Sequence, residues 1–167
     1  QLDMDLSRRF QRVAMDERKF ADILEGTSWA NDFKWDELRI LGAYLEMFSA
    51  PDGTVLFEQG ERDLFMCLIL EGEVTVWKED SNFEKQILAT IGKDCTLGEM
   101  ALIDNQPRSA AAVASVDTTM FTLTKQRFEE MADAHPRVWG GLLLKFGKLM
   151  SQRLRETSGA LIDYLDG

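Results

Sequence analysis

Residues 97–114 read LGEMALIDNQPRSAAAVA, a stretch that places Glu99 nine positions before Arg108 across a turn led by Gly98. A carboxylate accepts hydrogen bonds from a vicinal hydroxyl, and a guanidinium meets a phosphate as a fork of parallel donors. The two together suit a ligand that carries both groups. Gly98 allows a close backbone approach, and GEMALID holds enough helix formers for one short helical turn whose free N–H groups suit an anion. Pro107 fixes its own backbone angle and helps to aim Arg108. An ion pair between Glu99 and Arg108 that merely closes a loop is the competing structural reading.

The order LGEMAL, IDNQ, PRSAAAVA resembles the phosphate-binding cassette of the cyclic nucleotide-binding domain family, which includes bacterial catabolite activators, kinase regulatory subunits and nucleotide-gated channels. The resemblance implies that Glu99 holds the ribose 2′-hydroxyl and Arg108 pairs with the cyclic phosphate. It further implies that Gly98, Met100, Ala101 and Ser109 complete the cradle, with backbone N–H groups around Ala101 and Ser109. It implies an eight-stranded jelly-roll with the cassette inserted between two strands. Two departures from the family pattern flank the motif: Asp63 stands where many members have a turn glycine, and Asp94 and Cys95 replace a Gly-acidic pair. Asp tolerates the left-handed region, so both turns are expected to form.

Outward from the cassette the chain reads as short β-rich runs. TVLF, FMCLIL, EVTVWK and KQILATI precede it, punctuated by Gly60, Gly72 and DSN at 80–82, and SAAAVAS and TTMFTLT follow it. With no long helix between them, these runs predict a β-sandwich or roll rather than a parallel sheet. The fold class is therefore mainly β with flanking helices, and the resemblance makes the expected form a jelly-roll β-roll of the double-stranded β-helix type, with N-terminal helices and two C-terminal helices. The expected segments are an N-terminal helical segment over residues 1–51, a β-roll over 52–124 containing the cassette 97–109, and two C-terminal helices over 125–167, which the resemblance implies are hinge and lid.

In the N-terminal segment, Phe10, Val13, Ala14 and Phe20, Ile23, Leu24 fall at helical spacing in two pieces interrupted by Gly26, Thr27 and Ser28. Leu38, Leu41, Leu45 and Phe48 predict a helix through Phe48, stopped by the PDG turn at 51–53. At the other end a helix capped at Thr124 presents Phe128 and Met131 inward, and Pro136 separates it from a second one. That second helix carries Trp139, Leu142, Leu143, Phe146, Leu149, Met150 and Leu154, an apolar surface wide enough for more than one partner. Ser158 and Gly159 are expected to interrupt it before ALIDYL. The resemblance implies base contacts from this helix, where Gln152, Arg153 and Thr157 are the polar candidates, although each reads more simply as a solvated helix residue.

The bulk properties exclude several classes. The 167 residues amount to about one domain, and a net charge of −10 opposes nonspecific attraction to nucleic acid or anionic lipid. No apolar run reaches the roughly 18–20 residues of a membrane span, so a soluble, cytoplasmic protein is expected. A single histidine, His135, and two cysteines, Cys67 and Cys95, offer no metal set and no nucleophile–base constellation. A cupin-type enzyme is disfavoured on that ground, and no catalytic residue, cofactor or metal is expected. A helix-turn-helix would need more than the roughly ten residues left beyond the long helix, so DNA output would belong to sequence outside this chain. The chain begins with Gln1, which is compatible with a stand-alone receptor and with a regulatory fragment.

The functional expectation is a cyclic-nucleotide receptor or regulatory module, with cAMP preferred over cGMP. Its output would be movement of the C-terminal helix towards a homodimer or partner protein. The alternative is a ligand-independent interaction module on the same fold.

Overall fold

The computed structural model describes residues 4–166. Two antiparallel sheets face each other. The first is built from β1 (Gln11–Arg12), β2 (Glu46–Ala50), β4 (Phe65–Glu71), β7 (Thr96–Leu97) and β9 (Thr118–Thr124), in the order β1-β2-β9-β4-β7. The second orders β3 (Val55–Phe57), β8 (Ala111–Ala114), β5 (Val74–Glu79) and β6 (Lys85–Ile91) as β3-β8-β5-β6. The result is the expected β-roll, with a short helix, α3 (Glu99–Asp104), between β7 and β8.

The five-stranded sheet is the middle of three layers, which explains its uninterrupted apolar runs. Side chains alternate across a strand. On β4, Phe65, Cys67 and Ile69 therefore enter the core between the sheets, while Met66 and Leu68 join a second core beneath the helices. That second core is closed by α1 (Phe20–Glu25), α2 (Trp35–Tyr44), α4 (Lys125–Ala134) and the 31-residue α5 (Pro136–Asp166), through residues such as Leu24, Leu41, Phe128, Met131 and Phe146, with Trp29 added from the 3-10 turn Ser28–Asn31. Thr124 caps α4 by accepting from the Arg127 N–H at 3.3 Å, as its sequence predicts.

Three expectations are corrected. The N-terminal segment is only partly helical: residues 4–12 form a 3-10 turn (Leu6–Arg8) and then β1, which pairs antiparallel with β2. Helix α2 ends at Tyr44, Leu45 is extended, and Phe48 lies in β2. Met47 and Phe48 are both buried because β2 is covered on both faces, and this mimics the continuation of a helical stripe. Finally, α5 runs unbroken through Ser158 and Gly159. No residue from 151 to 165 is buried, so neighbouring elements impose no bend there.

The turn at Asp94 forms as expected, whereas Asp63 does not take the left-handed conformation. Asp94 adopts φ +70°, and its carboxylate accepts from the Ser28 N–H at 2.9 and 3.0 Å, tying the turn before β7 to the N-terminal helices.

Candidate functional site

The backbone that presents the site is shaped first by Gly98, at φ +83°. A Cβ there would lie 2.7 Å from the Arg108 Nη1 and 2.8 Å from the Phe65 carbonyl oxygen, so only glycine fits. The chain then turns into α3 and leaves it through Asn105 at φ +55°, the left-handed C-cap that asparagine tolerates. Residues 106–110 return to β8, and Arg108 is pinned on the way. Its N–H donates to the Glu61 carbonyl at 2.8 Å, and its own carbonyl accepts from Gly60 at 2.8 Å.

The two charged residues lie on one cavity of about 360 Å³, together with Gly98, Met100, Ala101 and Ser109. Glu99 is fully buried. Its Oε1 forms an ion pair with Nη1 of Arg153, on α5, while its Oε2 is buried without a partner. Arg108 is 5% exposed. Its Nη2 donates to the Phe65 carbonyl at 2.6 Å, and its guanidinium lies 4.0 Å from the Phe57 ring centroid and 4.8 Å from that of Phe65. The Nε of Arg108 is also buried without a partner. Burial holds this guanidinium below its ordinary pKa, and the nearby Glu61 and Asp63 carboxylates oppose that shift. Glu99 and Arg108 thus do not neutralise each other, as the loop-closing reading required.

This arrangement is incomplete in a specific way. An unpartnered buried polar atom costs roughly 1–3 kcal/mol. Of the unpartnered atoms on residues lining this cavity, Glu99 Oε2 can accept from a hydroxyl and Arg108 Nε can donate to an anionic oxygen, and Thr96 Oγ1 is a third. Around them Val76, Ala89 and Ile91 supply an apolar wall on the second sheet.

Of the helix candidates, the structure brings Arg153 alone to the site: its Nη2 also donates to the Thr96 carbonyl at 3.0 Å. Gln152 bonds Glu156 along the exposed helix at 3.1 Å, and the Thr157 hydroxyl turns back to the Arg153 carbonyl at 2.8 Å. The signal for Arg153 is in the spacing. Leu142, Phe146 and the half-buried Leu149 and Met150 form one stripe, and Arg153 continues it one turn further on. Cys67, behind Arg108, is buried, and burial pushes its thiol up to about 12, as suits the core hydrophobe its context predicts. Cys95 is exposed, and among the described residues no group of three His, Cys, Asp or Glu side chains is placed to hold a metal.

Residues 47–135 match the family model of the cyclic nucleotide-binding domain. The chain belongs to that family. Domains of this family are regulatory rather than catalytic. The cyclic AMP receptor protein of Thermus thermophilus is 29% identical over 121 residues, covering 72% of this chain and 54% of that protein. Lysophospholipase NTE1 of Phaeosphaeria nodorum is 26% identical over 119 residues, 71% of this chain but 7% of the enzyme. This chain therefore spans about half of the first relative and a small fraction of the second. A crystal structure of a cyclic nucleotide-binding domain from Methylobacillus flagellatus superposes with a TM-score of 0.79 at 28% identity, covering 92% of this chain and 88% of that one. Among the described residues no helix is long and apolar enough to cross a membrane.

Proposed function

We propose that this domain is a cytoplasmic receptor for a cyclic nucleotide, cAMP in preference to cGMP, and that it reports binding through α5. The observation that carries the reading is the pair of orphaned buried atoms, Glu99 Oε2 and Arg108 Nε, on one cavity. Glu99 accepts the ribose 2′-hydroxyl, and Arg108 offers its remaining donors to the cyclic phosphate, a charge-assisted contact roughly twice as strong as a neutral one. Gly98, Met100, Ala101 and Ser109 form the cradle, and the base lies along the apolar wall of Val76, Ala89 and Ile91.

The output follows from Arg153. A ribose hydroxyl at Glu99 competes with or reorients the guanidinium that α5 places there, so occupancy and helix position are linked. The partner is a second copy or an attached domain reached through α5. Isothermal titration with cAMP and with cGMP tests this: stoichiometric binding that Arg108→Ala abolishes supports it, and silence with both nucleotides at millimolar levels refutes it.

A second reading has one observation in its favour. Because Arg153 already offsets the charge of Glu99 through Oε1, the fold also suits a ligand-independent interaction module with that charge paired internally. The same titration separates the two.

A further inference from the structure

Residues 4–12 lie outside the family-matched stretch 47–135 and dock on the roll as a strap. Leu6 and Phe10 are 1% and 4% exposed and enter the core between the sheets, and β1 adds a strand beside β2. Between those two anchors Arg9 reaches the segment 56–65 that borders Arg108. Its Nη1 donates to the Leu56 carbonyl and to Glu61 Oε2, both at 2.8 Å, and its Nη2 reaches Asp63 Oδ2 at 3.1 Å. Its guanidinium also stacks 5.6 Å from the centroid of the Phe65 ring.

The residues Arg9 holds are the ones that hold Arg108. Glu61 gives its side chain to Arg9 and its backbone carbonyl to the Arg108 N–H. Phe65 has both guanidinium groups near its ring and gives its carbonyl to the Arg108 Nη2. Phe10, next to Arg9, packs edge-on against the same ring at 6.0 Å. Arg9 itself does not line the cavity. The carboxylates of Glu61 and Asp63 offset its charge, so it can stand near Arg108 with less repulsion.

We propose that Arg9 is a positioning residue for the ligand phosphate: by gripping Glu61 and stacking on Phe65 it sets the orientation of the Arg108 guanidinium. The inference rests on the reading of Arg108 as the phosphate contact. Aim matters because a fork of N–H donors loses much of its bond when rotated away from the acceptor. The strap thereby makes phosphate affinity depend on sequence remote from the cassette.

The test compares Arg9→Met with Arg12→Met. Arg12 is the matched control: it lies on the same strap, pairs with Glu46 and stacks on Phe48, but touches nothing that holds Arg108. In ligand-free protein, the Nε–Hε NMR resonance of Arg108, assigned by its loss in Arg108→Lys, is expected to move in Arg9→Met and to stay in Arg12→Met. In cAMP titrations Arg9→Met is expected to weaken binding about tenfold and Arg12→Met less than about twofold. In the Arg108→Lys background the Arg9→Met effect shrinks to less than about twofold, as coupled residues require. An unmoved Arg108 resonance, equal losses in the two strap variants, or an undiminished effect in the Arg108→Lys background overturns the proposal. If Arg9→Met does not fold, Arg9→Lys keeps a cation over Phe65 without the three-way fork and takes its place in each comparison. Wild-type protein that ignores cAMP overturns the ligand reading instead, and the resonance arm still decides whether Arg9 positions Arg108.

Discussion

The guanidinium of Arg153, on the long C-terminal helix, is ion-paired with Glu99, the fully buried carboxylate of the cassette. The Arg153 side chain is 45% exposed, so the pair is worth less than the roughly 3–5 kcal/mol lost on breaking a fully buried one. Arg153→Ala is expected to lower the stability of the ligand-free protein by about 1–2 kcal/mol, because it strands the Glu99 charge. Adding Glu99→Gln should restore most of that loss while weakening nucleotide binding. Urea denaturation midpoints and titration calorimetry on the single and double variants check both effects.

Gly98→Ala should damage the site more than the fold. The left-handed backbone there costs a non-glycine residue about 1–2 kcal/mol, and the new methyl would press on the Arg108 guanidinium. A melting temperature lowered by several degrees with nucleotide affinity reduced more than about tenfold is the expected pattern. An affinity loss no larger than that of an equally destabilised variant remote from the cavity would contradict it.

The two cysteines should separate cleanly by accessibility. Cys95 is exposed, whereas Cys67 is buried with its thiol raised to about 12. The thiolate is the reactive form, so Cys67 is protected twice, by access and by protonation. A disulfide reagent at neutral pH should modify Cys95 in the native protein and Cys67 only after unfolding, as peptide mass mapping would reveal.

The continuity of α5 gives a stabilising prediction. A Cβ added at Gly159 meets nothing within 4 Å. Gly159→Ala should therefore raise helix content by circular dichroism and favour the distal helix by about 0.5–1 kcal/mol, with cyclic-nucleotide affinity unchanged.

Much of this molecule is legible in residues whose chemistry and local geometry agree. Gly98, Glu99 and Arg108 can be read from sequence because each has one dominant role: the backbone needs the first, and the cavity collects the other two. The β-runs are equally readable, since FMCLIL and TTMFTLT are too short and too β-branched or aromatic for competing helices. Phe48 misleads because β2 is buried on both faces, and a strand apolar at successive positions imitates a helical stripe. Arg9 is invisible for another reason: its partners Glu61, Asp63 and Phe65 lie more than fifty residues along the chain. Arg153 lies between these cases, since its place on the stripe of Leu142 and Phe146 fixes its face but not its partner.

Helix α5 continues for thirteen residues beyond Arg153 to Asp166, with no buried residue from 151 to 165. At about 1.5 Å per residue that is an arm of roughly 20 Å with its pivot beside the cassette. A tilt of about 10° at the pivot would sweep the far end through roughly 3 Å, about twice the rise of one helical residue. If nucleotide binding rearranges the Arg153 guanidinium as proposed, leverage alone would turn a shift of a bond length or two into a displacement that a neighbouring surface could register.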